Sequence, residues 1–193
     1  DVVGFDPRGI HYSDNVKCFR NFAEQQTALE GLAIGFPFQR GEFQPYISSS
    51  QALGHACSTT GKPLSTHMST ANVARDMDVL RRILGDRQLN YLGFSYGSYL
   101  GQVYANLFPD RVRALVIDGV LDPTAWAGTD KNATTVPQTA RRRTAEGADK
   151  ALGEILKRCQ EAGPDYCQLA RYGNPSELYK KLADGLRQAP IDI

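Results

Sequence analysis

Between Ser69 and Ile117 helically spaced apolar residues give way to a short strand-like run, then to helical spacing again and to a second short apolar run, and no other feature restricts the fold so far. Ser69 or Thr70 can cap a helix whose apolar side carries Val73, Met77, Leu80 and Leu84 at 3.6-residue spacing. Arg75, Asp78, Arg81 and Arg82 fall on the other side, Asp78 and Arg82 form an i,i+4 pair, and Gly85 ends the helix. Leu89 to Phe94 then reads as a strand, and Ser98 to Phe108 as a helix with Leu100, Val103, Tyr104 and Leu107 inward. Pro109-Asp110 stops that helix before a further strand, Arg113 to Ile117. Val2 to Phe5 reads as an earlier buried strand ended by the turn Asp6-Pro7-Arg8-Gly9.

Strand, helix, strand, helix, strand is the order of a parallel sheet with right-handed crossovers and helices on both faces, so the expected class is α/β and doubly wound. Beyond Asp122-Pro123 the pattern becomes helical and polar without a strand, in Arg141-Arg142-Arg143, Ala151 to Cys159 and Leu178 to Leu186. Residues 1–125 are therefore read as a core and residues 126–193 as the start of a helical cap or insertion. From His11 to His67 the chain is rich in Gly, Pro, Gln and Ser, but Phe43, Ile47, Leu53 and Cys57 share a face and predict a helix from about Glu42 to Cys57.

With 193 residues, 41% of them hydrophobic and 22% charged, the chain is globular, neither disordered nor membrane-embedded. A net charge of +1 gives no electrostatic ground for nucleic acid or an anionic membrane as partner. No run approaches the ~20 apolar residues that a membrane helix needs. The opening Asp-Val-Val-Gly-Phe, without Met or signal segment, reads as the inside of a longer protein. Cys18, Cys57, Cys159 and Cys167 form two separated groups without zinc spacing. Pairing within each group would contribute on the order of 3 to 4 kcal/mol each and imply an oxidising compartment; four buried thiols are the alternative. No cofactor or metal is implied.

Gly93-Phe94-Ser95-Tyr96-Gly97 is a Gly-x-Ser-x-Gly pentapeptide placed where the predicted strand ends and the predicted helix begins. A serine hydroxyl is a weak nucleophile unless held beside a base, and a sharp strand-to-helix elbow does that holding. The elbow thrusts Ser95 above the carboxyl edge of the sheet, and Gly93 and Gly97 make room where chains crowd. It also aims the backbone N–H of Tyr96, with the positive end of the helix dipole, at the place where an oxyanion develops.

Met68 to Pro123 resembles the α/β-hydrolase peptidases that contain proline iminopeptidase, especially their secreted tripeptidyl aminopeptidase branch. The likeness rests on Asp6-Pro7-Arg8-Gly9, on Asn90 through Gly101, on Phe108-Pro109-Asp110-Arg111-Val112 and on Leu115 through Gly119. The spaced cysteines resemble that branch too and favour export. The resemblance implies an incomplete, doubly wound parallel-sheet α/β-hydrolase core, with Ser95 as nucleophile and Tyr96 N–H as one oxyanion donor. It places the other donor before Asp1 and the acid and histidine after the cap, so this chain by itself is expected to be inactive or nearly so.

His11, His55 and His67 all precede Ser95, so none fits the family's order, and His11, where the family usually has a small residue, reads as a loop histidine rather than a substitute base. Asp118 and Asp122 lie where some α/β-hydrolases carry their acid; Asp118 reads as a structural turn residue. Arg141-Arg142-Arg143 reads as a solvated helix face, and Asn132-Ala133-Thr134 as a glycan acceptor only in a eukaryotic secreted protein. Glu146 and Glu154 read as surface helix rather than as partners for a substrate amine. The implied activity is acyl-enzyme hydrolysis near peptide N-termini, with a cap that admits chain ends. An esterase or lipase, or a hydrolase-like binding domain without chemistry, are the alternatives.

Overall fold

The computed structural model describes residues 2–189 and 191. The chain divides into two compact units, the first ending at Leu121 and the second beginning at Asp122. In the first, α1 (Phe22–Leu29), α2 (Arg40–Thr59) and α3 (Thr70–Ile83) precede β1 (Leu89–Phe94), α4 (Tyr96–Leu107) and β2 (Val112–Asp118). The strands pair in parallel, with Leu92 opposite Val116 and Phe94 opposite Asp118, and α4 makes the crossover between them. The helix expected over 42–57 is present and longer, starting where Gln39 and Glu42 form a capping box. Helix α1, capped by Asn21, lies in a stretch whose composition gave no periodic signal.

Val73, Ala74, Met77, Leu100 and Tyr104 form the buried core, where α3 packs on α4. Phe5, Leu89, Tyr91, Val103, Phe108 and Val112 pack around it. Val2 to Phe5 is not a strand: the segment pairs with nothing among the described residues, and Phe5 alone reaches the core. The turn behind it is nonetheless anchored. Arg8 forms a fork on Asp76 of α3, Nε to Oδ2 at 2.6 Å and Nη2 to Oδ1 at 2.8 Å, and also donates to the carbonyl of His67.

One face of the two-stranded sheet lies against α4. The other exposes Leu92, Phe94 and Val116, which are 58%, 61% and 59% accessible. Coverage of both faces, the rule for parallel sheets, is thus half realised among the described residues.

Helix α3 faces inward differently from the sequence expectation. Its buried positions are Val73, Ala74, Met77, Asp78 and Arg81, while Leu84 caps the end and is exposed. The inward stripe therefore carries an ion pair. Asp78, 4% exposed, accepts from Arg81 Nε at 3.0 Å and from the Tyr104 hydroxyl at 3.2 Å, and also pairs with Arg111. A buried carboxylate survives because its acceptor sites are filled. Burial pushes the Asp78 carboxyl up, but Arg81, Tyr104 and Arg111 together outweigh it and hold the group below its usual range.

In the second unit, α5 (Pro123–Ala127), α6 (Gln138–Arg141), α7 (Thr144–Ala162) and α8 (Pro175–Gln188) follow without a strand. Of the three consecutive arginines, Arg142 and Arg143 are exposed as expected, and only Arg141 is half-buried. Arg141 donates to the carbonyls of Ala125, Trp126 and Val136, Arg142 lies 4.9 Å over the Trp126 ring, and Arg143 pairs with Glu146. Carbonyls left over at the end of α5 attract the Arg141 guanidinium, a demand that residue periodicity does not reveal. Asn132 closes the same loop by accepting from the Thr129 N–H at 2.8 Å.

The cysteines pair within each group, Cys18 with Cys57 and Cys159 with Cys167. The first bond ties the segment before α1 to the end of α2, and the second closes the turn after α7. Two disulfides fit an oxidising, extracytoplasmic compartment. No helix among the described residues is long and apolar enough to cross a membrane.

Because the folded Asp78 carboxyl titrates below its unfolded value, its stabilisation is full above an ordinary Asp pKa of about 3.9 and fades as the pH falls through the lower folded value. Asp78→Asn should cost about 2 to 3 kcal/mol at neutral pH, the low end for a buried pair because Arg82 and Arg111 reach solvent. The gap should narrow below roughly pH 4 in urea titrations; a gap unchanged with pH would contradict the assignment.

Candidate active site

Strand β1 stops at Phe94 and α4 starts at Tyr96, which leaves one residue to turn the chain. Ser95 does so at φ 52°, ψ −117°, a region that side-chain-bearing residues rarely occupy. Such a backbone costs on the order of 1 to 3 kcal/mol and persists only where its surroundings enforce it. Here the Ser95 N–H donates to the Asp118 carbonyl at 2.9 Å, extending the β1–β2 pairing past Phe94. The Ser95 carbonyl accepts from the Ser98 N–H at 2.9 Å and from the Ser98 hydroxyl at 2.6 Å. Two residues further, the Tyr91 hydroxyl donates to the Gly97 carbonyl at 2.8 Å. Burial, with the neighbouring Tyr96 phenol, raises the Tyr91 pKa, so this phenol remains a donor at neutral pH.

The glycines on either side have unequal duties. A Cβ on Gly93 would stand 2.5 Å from the Gly97 carbonyl oxygen and 2.5 Å from Tyr91 Cε1, both in the crossing of strand and helix. A Cβ on Gly97 would meet the Tyr91 hydroxyl at 3.3 Å and nothing nearer. Gly93 therefore permits the crossing itself, while Gly97 spares one hydrogen-bonding side chain.

Ser95 is exposed at the carboxyl end of β1, and its hydroxyl does not cap the helix that follows. Serine at that position ordinarily spends its oxygen on the N–H groups of the first turn. The main-chain carbonyl and Ser98 take over the turn here, and the side-chain oxygen is left facing solvent. Tyr96 occupies the first position of α4, where peptide N–H groups have no acceptor within the helix. Its phenol lies 2.5 Å from the Thr70 hydroxyl at the start of α3, which fixes the side chain next to Ser95.

The side chains of the other sequence candidates make no hydrogen bond to Ser95 among the described residues. His11 Nδ1 lies 3.2 Å from Asp6 Oδ2 within the first turn. The backbone carbonyls of His67 and His55 accept from neighbouring side chains, and among the described residues no histidine is hydrogen-bonded to Ser95. Asp118 Oδ1 accepts from the Gly119 N–H at 2.7 Å, and Asp122 caps α5. Both carboxylates serve local turns. Among the described residues no three His, Cys, Asp or Glu side chains converge to hold a metal ion. Tyr91 and Ser98 were not singled out by sequence reasoning; the sole hint was their place on the inward sides of β1 and α4.

A parallel strand, a one-residue turn on serine and a crossover helix in this order are what the α/β-hydrolase fold has at a Gly-x-Ser-x-Gly segment. The chain belongs to the alpha/beta hydrolase fold family, whose pattern matches residues 51–156. It is 40% identical over 123 residues to a tripeptidyl aminopeptidase of Streptomyces lividans, a match covering 64% of this chain and 22% of that protein. It is 34% identical over 188 residues to the serine protease Hip1 of Mycobacterium tuberculosis strain H37Rv, covering 96% of this chain and 34% of that protein. It is also 37% identical over 124 residues to carboxylesterase B of Mycobacterium tuberculosis strain CDC 1551, covering 64% and 24%. The matched regions thus span about a fifth to a third of the length of these relatives.

Gly93→Ala should destabilise the chain by about 1 to 3 kcal/mol, because backbone atoms must give way, and Gly97→Ala by clearly less. Thermal unfolding of the two variants side by side checks this, and equal losses would contradict the crowding argument.

Proposed function

We propose that Ser95 is the nucleophile of a serine hydrolase that cleaves peptides near their N-termini through an acyl-enzyme. The observation that carries the proposal is the exposed hydroxyl held on a strained turn at the head of α4, with no structural duty of its own. In the proposed reaction, Ser95 Oγ attacks the scissile carbonyl carbon and passes its proton to a base. The carbonyl oxygen gains the negative charge and accepts from the Tyr96 N–H at the positive end of α4. Collapse expels the amine, and water releases the acyl group.

The reading requires a histidine, an acid and a second oxyanion donor from the remainder of the protein, consistent with the fraction of the relatives' length matched here. Residues 1–125 are read as the hydrolase core and 126–193 as the start of a helical cap or insertion. The paired cysteines support export. The peptidase preference rests on the names of the aminopeptidase and protease relatives. An esterase on the same scaffold is the second reading, favoured by the carboxylesterase among the matches.

Hydrolysis of tripeptidyl and aminoacyl anilides, beside short acyl esters, by the full-length protein separates these readings. Anilide cleavage is expected, lowered about 10⁴-fold or more in kcat by Ser95→Ala. Rapid ester turnover without anilide cleavage would defeat the peptidase reading, and an undiminished Ser95→Ala variant would defeat the nucleophile assignment.

A further inference from the structure

Three residues beyond the exposed Ser95 lies a serine of the opposite kind. Ser98 is fully buried at 0% exposure, and its hydroxyl serves two partners. It donates to the Ser95 carbonyl at 2.6 Å and accepts from the Leu121 N–H at 2.9 Å. One helical turn on, Gln102 Nε2 donates to the Leu121 carbonyl at 3.0 Å and to the Ser98 carbonyl at 3.1 Å. Both peptide groups of Leu121 are thus held by side chains of α4, and Leu121 in turn fixes the direction of the Ser98 hydroxyl. With Leu121 as donor, that hydroxyl proton is directed to Ser95.

The consequence follows from the rigidity of the peptide bond. The Ser95 carbonyl and the Tyr96 N–H belong to one planar unit and point in opposite directions. A donor that fixes the carbonyl therefore also fixes where the N–H points. It fixes ψ of Ser95 as well, while the bond from Ser95 N–H to the Asp118 carbonyl restrains the other side of the same residue. We propose that Ser98, supported by Gln102 and Leu121, is a positioning residue that aims the Tyr96 N–H at the developing oxyanion through the shared Ser95–Tyr96 peptide plane. The proposal rests on the reading of Ser95 as nucleophile.

A donor aimed at charge that exists only in the transition state contributes to kcat rather than to KM. With the full-length protein, and the anilide or ester that the wild type turns over fastest, Ser98→Ala should lower kcat roughly ten-fold, less than outright loss of a donor. KM should stay within about two-fold. Rates are expressed per site titrated with a fluorophosphonate, so that a partly unfolded preparation is not mistaken for a slow one. Ser98→Cys, which keeps a weak donor of similar size, should recover part of the loss. Gln102→Met, which frees the Leu121 carbonyl but leaves Ser98 in place, should lower kcat about three-fold.

Wild-type kcat per titrated site in Ser98→Ala, or a loss carried by KM alone, overturns the proposal. Should Ser98→Ala fail to fold, an unchanged kcat in Gln102→Met overturns it equally. A wild-type protein inert toward every acyl probe would instead overturn the nucleophile reading, and this proposal with it.

Discussion

The Ser95 backbone sits in a conformation that a free chain would avoid, and the site depends on the groups that keep it there. Each restraint comes from a different part of the first unit: the Asp118 carbonyl from β2, the Ser98 hydroxyl from α4, and the Tyr91 phenol from β1. Gly93 lets strand and helix approach closely enough for these bonds to form. Strain of about 1 to 3 kcal/mol is offset by the several hydrogen bonds that oppose it, each contributing about 0.5 to 1.5 kcal/mol, so the turn holds without the side chain of Ser95 taking part. That is why the hydroxyl can face solvent rather than cap its own helix.

The surrounding architecture keeps the two strands and α4 in register. Asp78 gathers Arg81, Tyr104 and Arg111 at the junction of α3, α4 and the approach to β2. An all-apolar junction could be as stable, since buried ion pairs rarely exceed their hydrophobic equivalents. What the carboxylate adds is direction, because its partners must meet it from fixed angles. The Arg8 fork on Asp76 docks the first turn on the same helix by the same means. The exposed apolar face of Leu92, Phe94 and Val116 completes the picture of a sheet with one finished side.

Much of this was legible in the sequence. The short run from Leu89 to Phe94, set between a polar turn and a helical pattern, marked β1 to the residue, and the pentapeptide located the turn, because both signals are local. Two disulfides were suggested by four cysteines without metal spacing, with four free thiols as the alternative; that Cys18 pairs with Cys57 and Cys159 with Cys167 is a finding of the structure. Periodicity misjudged the inward face of α3, since it counts Asp78 and Arg81 as polar and cannot know that they neutralise each other. It also took Val2 to Phe5 for a strand, because an apolar run does not say whether a partner lies beside it. Ser98 was invisible for a related reason: a small polar residue in a first helical turn looks like any other until its two partners are placed.

The central claim is that the fold holds Ser95, and no other serine, ready to attack. Peptide mapping of the full-length protein after brief fluorophosphonate treatment tests it directly, with a denatured sample as control. The account predicts a stoichiometric adduct on Ser95 that disappears when the protein is unfolded first. An adduct on a different serine, or equal labelling of folded and unfolded protein, would contradict it.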